Sequence, residues 1–122
     1  MISIQSSLTE LERTHQIRQA VIDSYVAAID NIAHYTVELD EKLTVPHRKY
    51  LTALAQEVAA GTPEAMVESH STLRSLLRDY RDKAAHYMLE LRDELAATTR
   101  AIEQILGSLA QSDDEQDRKS VV

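Results

Sequence analysis

Apolar residues recur at steps of three and four along the first third of the chain, from Leu8 and Leu11 to Leu39 and Leu43. Positions spaced in this way lie on one face of an α-helix and form a heptad-like stripe. The pattern therefore predicts a long first helix over residues 7–43, with one face available for packing.

Pro46 interrupts this pattern, because proline lacks a backbone N–H and disfavours the helical conformation of the residue before it. The first helix should accordingly end ahead of it, and a second helix should run over residues 46–60 with Pro46 in its first turn. Gly61 follows as the residue best suited to a left-handed helix end. The predicted second helix carries one short apolar stripe: His47, Tyr50, Leu51, Leu54 and Val58.

The stretch Thr62-Pro-Glu repeats a helix start, since it supplies an N-cap residue, a proline for the first turn and an early acid. No glycine or proline then occurs before Gly107, so a third helix is predicted over residues 63–111. The remaining residues, 112–122, are polar and acidic, and they are predicted to form a frayed end or a linker.

The third helix is far longer than the second helix could cover. One explanation is a bend near residues 78–83 that folds the last segment back into a four-helix bundle. The other is an uninterrupted helix that pairs with another subunit. The stretch 77–85 contains good helix formers and no turn signal, which favours the uninterrupted helix. The predicted fold is all-α: an antiparallel helical bundle over residues 1–111, with two long helices and one short helix, completed by dimerisation.

The composition agrees with helix packing rather than with β-structure. The chain has five tyrosines but no phenylalanine or tryptophan, and only two glycines and two prolines. It therefore lacks the aromatic and turn residues that are typical of β-sheet domains. A net charge of −7 without a basic cluster argues against nucleic-acid binding.

Further features bear on where the protein works. No apolar run approaches the roughly 18 residues needed to span a bilayer, and the N-terminus lacks the pattern of a secretory signal. Cysteine is absent, which is compatible with a reducing compartment. We expect a cytoplasmic protein that does not bind membranes.

Four residues on the predicted stripes are candidates for ligand binding or pH sensing: His15, Arg18, His47 and His70. Imidazole titrates near neutral pH, and a guanidinium on an apolar stripe is suited to an anionic ligand. The simpler interpretation is that each histidine lies at the edge of the core with a hydrogen-bond partner. The sequence leaves both interpretations open.

Two His-x-x-x-Glu pairs, His34 with Glu38 and His86 with Glu90, look like fragments of a metal site in a helical bundle. Their positions roughly opposite the apolar stripes favour exposed hydrogen-bonded pairs instead. We therefore predict no metal and no cofactor. The chain also lacks the sequence motifs of known catalytic sites, so no catalytic residue is predicted.

Three helix-forming segments lead to an acidic stretch in the C-terminal half. The segments are Leu73-Arg-Ser-Leu-Leu-Arg-Asp-Tyr-Arg-Asp-Lys-Ala-Ala-His-Tyr, Leu91-Arg-Asp-Glu-Leu and Ile102-Glu-Gln-Ile-Leu, and the acidic stretch is Ser112-Asp-Asp-Glu. This series resembles the helical region that precedes the GGDEF domain in some bacterial diguanylate cyclases. The resemblance implies a regulatory or dimerising region whose acidic tail leads into a cyclase. Such cyclases join two GTP molecules into cyclic di-GMP between paired GGDEF domains. The chain itself has no GGDEF or GGEEF motif, so no catalytic residue carries over.

These observations favour a homodimeric sensory or input module of a signalling protein, which acts through helix packing and is not itself an enzyme. A second hypothesis is a scaffold or adaptor that binds a helix of another protein. A third is a metal- or cofactor-binding four-helix bundle that uses the histidines on the stripes.

Overall fold

A computed structural model describes residues 2–120, and every regular element in that range is an α-helix. Helix α1 spans Ile2–His34, α2 spans Glu41–Ala59 and α3 spans Pro63–Ser120. Two of the helices are long and one is shorter, and residues 2–120 contain no β-strand. The prediction of an all-α fold with two long helices and one short helix is confirmed.

The predicted bounds of the first two helices need correction. Helix α1 ends at His34 rather than near residue 43, and α2 begins at Glu41, so that Pro46 lies inside α2 rather than at its start. The Asp40 side chain caps α2 by accepting a hydrogen bond from the Lys42 amide at 3.3 Å. Pro46 lies in the second turn of α2, so its missing N–H removes a single hydrogen bond near the N-terminus of the helix.

The linker at residues 35–40 separates α1 from α2, and the Arg48 side chain holds it against the end of α1. The Arg48 guanidinium donates from Nε to the Ala33 carbonyl at 3.1 Å and from Nη2 to the Thr36 carbonyl at 3.2 Å. The last carbonyls of a helix have no partner within the helix, so these contacts stabilise the chain where α1 stops.

Helix α2 ends as the sequence predicts. Gly61 adopts a φ of +74°, in the left-handed region where residues with a Cβ atom are strained. Its amide donates to the Val58 carbonyl at 3.0 Å. Thr62 then caps α3, since its hydroxyl oxygen accepts a hydrogen bond from the Ala65 amide at 3.2 Å.

The contacts within the chain form two compact units, where the sequence predicts one bundle domain over residues 1–111. The first unit ends at Lys83 and the second begins at Ala84. Helix α3 belongs to both, and residues 78–83 are helical throughout. The helix also continues to Ser120, which corrects the prediction that the chain frays or becomes a linker from residue 112.

The first unit is an up-down-up bundle. Arg48, early in α2, contacts the end of α1, while Arg18 of α1 donates to the Gly61 carbonyl just beyond α2, so α1 and α2 are antiparallel. Helix α3 then returns alongside α1, because Ser69 contacts Tyr25 and Tyr80 contacts Val37.

The core of this unit is aliphatic, as the composition predicts. Leu51 and Val58 of α2 are completely buried, and Ile29 of α1 is 1% exposed. Full burial of one such side chain stabilises the fold by roughly 1.5–3 kcal/mol. Partly buried side chains from α1 and α3 surround this centre: Tyr25, Val26, Ile32, Met66, Leu73 and Leu76.

Candidate functional site

The apolar stripe of α1 is buried along only part of its length. Ile22 and Ile29 pack in the first unit, whereas Leu8 and Leu11, on the same face of the helix, are 59% and 66% exposed. Arg18 already contacts Gly61, at the junction of α2 and α3. The stripe therefore continues beyond the helices that cover it.

The second unit carries a longer apolar stripe on α3, which we call the distal stripe. Its large side chains recur at steps of three, four and seven residues, and each is between 41% and 68% exposed. The distal stripe consists of Met88, Leu91, Leu95, Ile102, Ile105 and Leu109. An exposed apolar row of this length is typical of a surface that packs against another helix.

Thr98 lies on the same face of α3, between Leu95 and Ile102 of the distal stripe, and its hydrogen bonding makes it compatible with burial. The Thr98 hydroxyl donates to the Glu94 carbonyl of its own helix at 2.9 Å. Because this donor is already satisfied, covering it with a second helix would leave no unpaired hydroxyl hydrogen.

A chain of hydrogen bonds, which we call the Tyr80 latch, fixes the linker at residues 35–40 to α3. The Tyr80 hydroxyl donates to the Val37 carbonyl at 2.6 Å and lies 2.9 Å from the Thr44 hydroxyl oxygen. Because a phenol has one hydrogen to donate, Thr44 is the donor in that second bond. The Leu39 amide in turn donates to Thr44 at 2.9 Å, so each hydroxyl in the latch donates once and accepts once.

His47 is the candidate residue that the structure buries. The residue is 7% exposed, and its imidazole stacks on the Tyr80 ring, with centroids 4.0 Å apart and planes 11° apart. Burial, followed by the positive charges of Lys83 and Arg48, lowers the pKa of His47 below its ordinary value of 6.5. His47 is therefore neutral at pH 7 and belongs to the packing around the Tyr80 latch.

The other three candidates are exposed and do not join His47 in one site. His15 lies on the uncovered part of α1. The Arg18 Nη2 donates to the Gly61 carbonyl at 2.7 Å, so this guanidinium holds the end of α2. The His70 and Tyr25 rings lie nearly perpendicular to each other, with centroids 6.1 Å apart.

The two His-x-x-x-Glu pairs have different outcomes. His86 Nε2 lies 3.0 Å from Glu90 Oε1 on the surface of α3, as expected for an exposed pair. Glu38 instead lies in the linker beyond α1 and pairs with Arg48 at 3.2 Å, while the His34 ring packs edge-on against Tyr35. Within the described part of the chain, no group of three or more histidine, aspartate or glutamate side chains could hold a metal ion.

Sequence reasoning missed the two polar side chains that organise this region. Tyr80 occupies a stripe position and could be read only as an apolar contact, since the carbonyl that it binds is far away in sequence. The sequence did not indicate a role for Arg48, because a basic residue early in a helix has no distinguishing pattern. Its role is visible only when α1 is packed beside α2. Both act through contacts between elements.

Comparison with known proteins yields no matching family model, no matching curated protein and no matching solved structure. The fold and the surfaces described above are thus the basis for a functional proposal. Among the described residues, none of the helices contains an 18-residue stretch apolar enough to cross a membrane.

Proposed function

We propose that this chain is a dimerising regulatory input module of a cytoplasmic bacterial signalling protein. The single observation that carries the proposal is the distal stripe. Two copies would associate through this stripe, and the resemblance of α3 to cyclase-associated helices suggests a C-terminal diguanylate cyclase as the output. The chain itself would contribute no catalytic residue.

Energetics support pairing of the stripe. Burial of each large aliphatic side chain stabilises a complex by roughly 1–2 kcal/mol when the side chain starts partly exposed. Association costs roughly 4–15 kcal/mol in lost translational and rotational freedom. Each of the two helices contributes six apolar side chains, and their summed stabilisation is of the size needed to offset the cost of association.

The mechanism would be a shift between two packings of the helices. A stimulus that binds one packing of the first unit better than another changes their populations. Helix α3 belongs to both units, so a change in how its first part packs would be passed on through a continuous helix. The change in packing would alter how the output domains of the two copies are placed relative to each other, and so alter their activity.

A scaffold or adaptor function is the second candidate, and the same exposed stripe favours it. In that case the occupant of the distal stripe would be an amphipathic helix of another protein. The two functions differ in what the isolated chain does, because only the first requires it to pair with itself.

Disulfide trapping tests self-pairing directly, because the natural chain has no cysteine. Leu95→Cys places a thiol on the distal stripe. Leu89→Cys is the matched control, since residue 89 lies about 150° around the helix from the middle of the stripe and its side chain is also exposed. We expect rapid oxidation of the Leu95→Cys chain to a covalent dimer and slow oxidation of the control. Equal rates for the two variants would contradict the proposal.

A further inference from the structure

A cleft opens beside the His47–Tyr80 stack, between the beginning of α2 and the part of α3 that lies in the first unit. Its volume is about 220 Å³, which is enough for a small organic molecule and too little for a nucleotide. Both charged and apolar groups line the cleft. They include Lys42, Pro46, Tyr50, Asp79 and Lys83.

The charge of the cleft is opposite to that of the chain. Lys42 and Lys83 contribute two positive charges against one negative charge from Asp79, with His47 neutral, whereas the whole chain carries −7. Asp79 and Lys83 are spaced for a helical ion pair. Even so, within residues 2–120 neither lysine has a carboxylate oxygen within 4.0 Å. Both ammonium groups are thus available to an anion.

The rest of the lining suits a compact apolar body. Pro46 contributes an aliphatic ring, and Tyr50 is 62% exposed, so its ring is accessible from solvent. The stacked rings of His47 and Tyr80 add aromatic surface. The lining of the cleft as a whole is mixed, somewhat more polar than apolar, and the charged groups in such a site fix the orientation of the bound molecule.

We propose that this cleft binds a small aromatic carboxylate, with Lys42 and Lys83 receiving the carboxylate and Pro46 and Tyr50 contacting the ring. The occupant would contact α2 and α3 together and would lie against the Tyr80 latch. It would therefore favour the packing in which those two helices and the linker at residues 35–40 are held together. This inference rests on the proposed input function, for which it supplies the class of stimulus.

Binding is tested on the full chain at about pH 7.5, where His47 is neutral, by following the backbone amide signals in an NMR titration. The probe is benzoate, and the comparison molecules are acetate, which keeps the charge, and benzyl alcohol, which keeps the ring. We expect saturable shifts with benzoate at residues 42–50 and 79–83. Acetate and benzyl alcohol should each bind about tenfold more weakly or worse, because each lacks one half of the recognition.

Two lysine variants show whether the shifts report this cleft. Lys83→Gln removes a lining charge and should weaken benzoate binding about tenfold. Lys49→Gln, at an exposed α2 position outside the lining, should leave binding unchanged. The proposal is overturned if benzoate gives no saturable shift up to about 10 mM, if either comparison molecule binds as tightly as benzoate, or if the two variants bind it equally.

The solution mass of the same samples separates this proposal from the proposed function. A dimer that does not bind benzoate would refute the cleft proposal and leave self-pairing intact. A monomer that binds benzoate in the expected way would refute self-pairing and leave the cleft site standing.

Discussion

The imidazole of His47 and the phenol ring of Tyr80 lie stacked, with centroids 4.0 Å apart and planes 11° apart. Through this contact the beginning of α2 meets α3 at the same point where the Tyr80 hydroxyl reaches the Val37 carbonyl. One side chain of α3 therefore connects α2 with the linker that follows α1. The stability of the first unit should be sensitive to small changes at either ring.

Tyr80→Phe tests the latch. The variant keeps the ring stacked but removes the hydroxyl that donates to Val37 and accepts from Thr44. We expect the free energy of unfolding to fall by about 1–2 kcal/mol, because the buried Thr44 hydroxyl loses its acceptor, whereas water can replace the exposed bond to the Val37 carbonyl. Urea unfolding followed by circular dichroism measures it. Tyr35→Phe, at a tyrosine that is 77% exposed, should change it by less than about 0.5 kcal/mol, and equal losses would show that the latch does not stabilise the fold.

The depressed pKa of His47 predicts a pH dependence of stability. In the unfolded chain a histidine takes up a proton near pH 6.5, whereas the folded chain resists protonation until lower pH because of burial and the nearby Lys83 and Arg48. Asp79 lines the same cleft, but the direction of the shift is set by burial, Lys83 and Arg48. Stability from this group is therefore fully present above pH 6.5 and falls as the pH drops towards the lowered pKa.

His47→Leu isolates this contribution. The slope of unfolding free energy against pH between about pH 7 and pH 5 should become smaller in this variant than in the natural chain. His15→Asn, at an exposed histidine, should retain the natural slope. If removal of His47 left the slope unchanged, the burial of a neutral imidazole could not be its source.

Arg48 should stabilise the end of α1. Arg48→Met keeps an extended apolar side chain but cannot donate to the carbonyls of Ala33 and Thr36. We expect the unfolding free energy to decrease by about 1–2 kcal/mol, since its guanidinium is partly exposed and solvent replaces part of what is lost. Faster amide exchange should be confined to residues 31–40. Lys49→Met, at an exposed position of α2, is the control and should leave exchange at residues 31–40 unchanged. Equally fast exchange of these residues in the control would indicate a general loss of stability instead.

The break between α1 and α2 shows where periodicity stops being informative. Leu39 and Leu43 continue the helical spacing of apolar residues, and both are half-buried. Only Leu43 is helical, however, so the spacing did not reveal that α1 had ended. The helix ends are decided by polar side chains: Asp40 caps α2 from within the local sequence, whereas Arg48 reaches back to α1 from the next helix. The first of these signals could have been recognised in the sequence. The second depends on the packed structure.

The candidate site divides in the same way. The position of His47 on the α2 stripe correctly indicates burial, because most of that face of α2 packs against the core. Tyr50, on the same stripe, is nevertheless 62% exposed. Its partner Tyr80 comes from a different helix, and no local pattern links the two. Arg18 lies on the α1 stripe as well, but its partner is the Gly61 carbonyl, which no side-chain pattern could have indicated.

The two copies are predicted to associate with their α3 helices side by side and parallel. Output domains that act as a pair require the two α3 helices to run in parallel, so that each distal-stripe residue faces its own copy. Leu91→Cys and Ile105→Cys, introduced one at a time, should both form disulfide-linked dimers. In an antiparallel pair only residues near the crossing point could do so. Cross-linking at a single position along the stripe would therefore refute the parallel arrangement.

Self-association through the distal stripe would make the natural chain a dimer, and its solution mass reports this state. Light scattering across a concentration series should give twice the chain mass of 13.7 kDa. The double variant Leu95→Glu/Ile102→Glu should give the mass of a single chain, because it places four carboxylates against each other in the paired stripe. A natural chain that remains at 13.7 kDa up to about 100 μM would refute self-association. It would favour a helix of another protein as the occupant of the distal stripe.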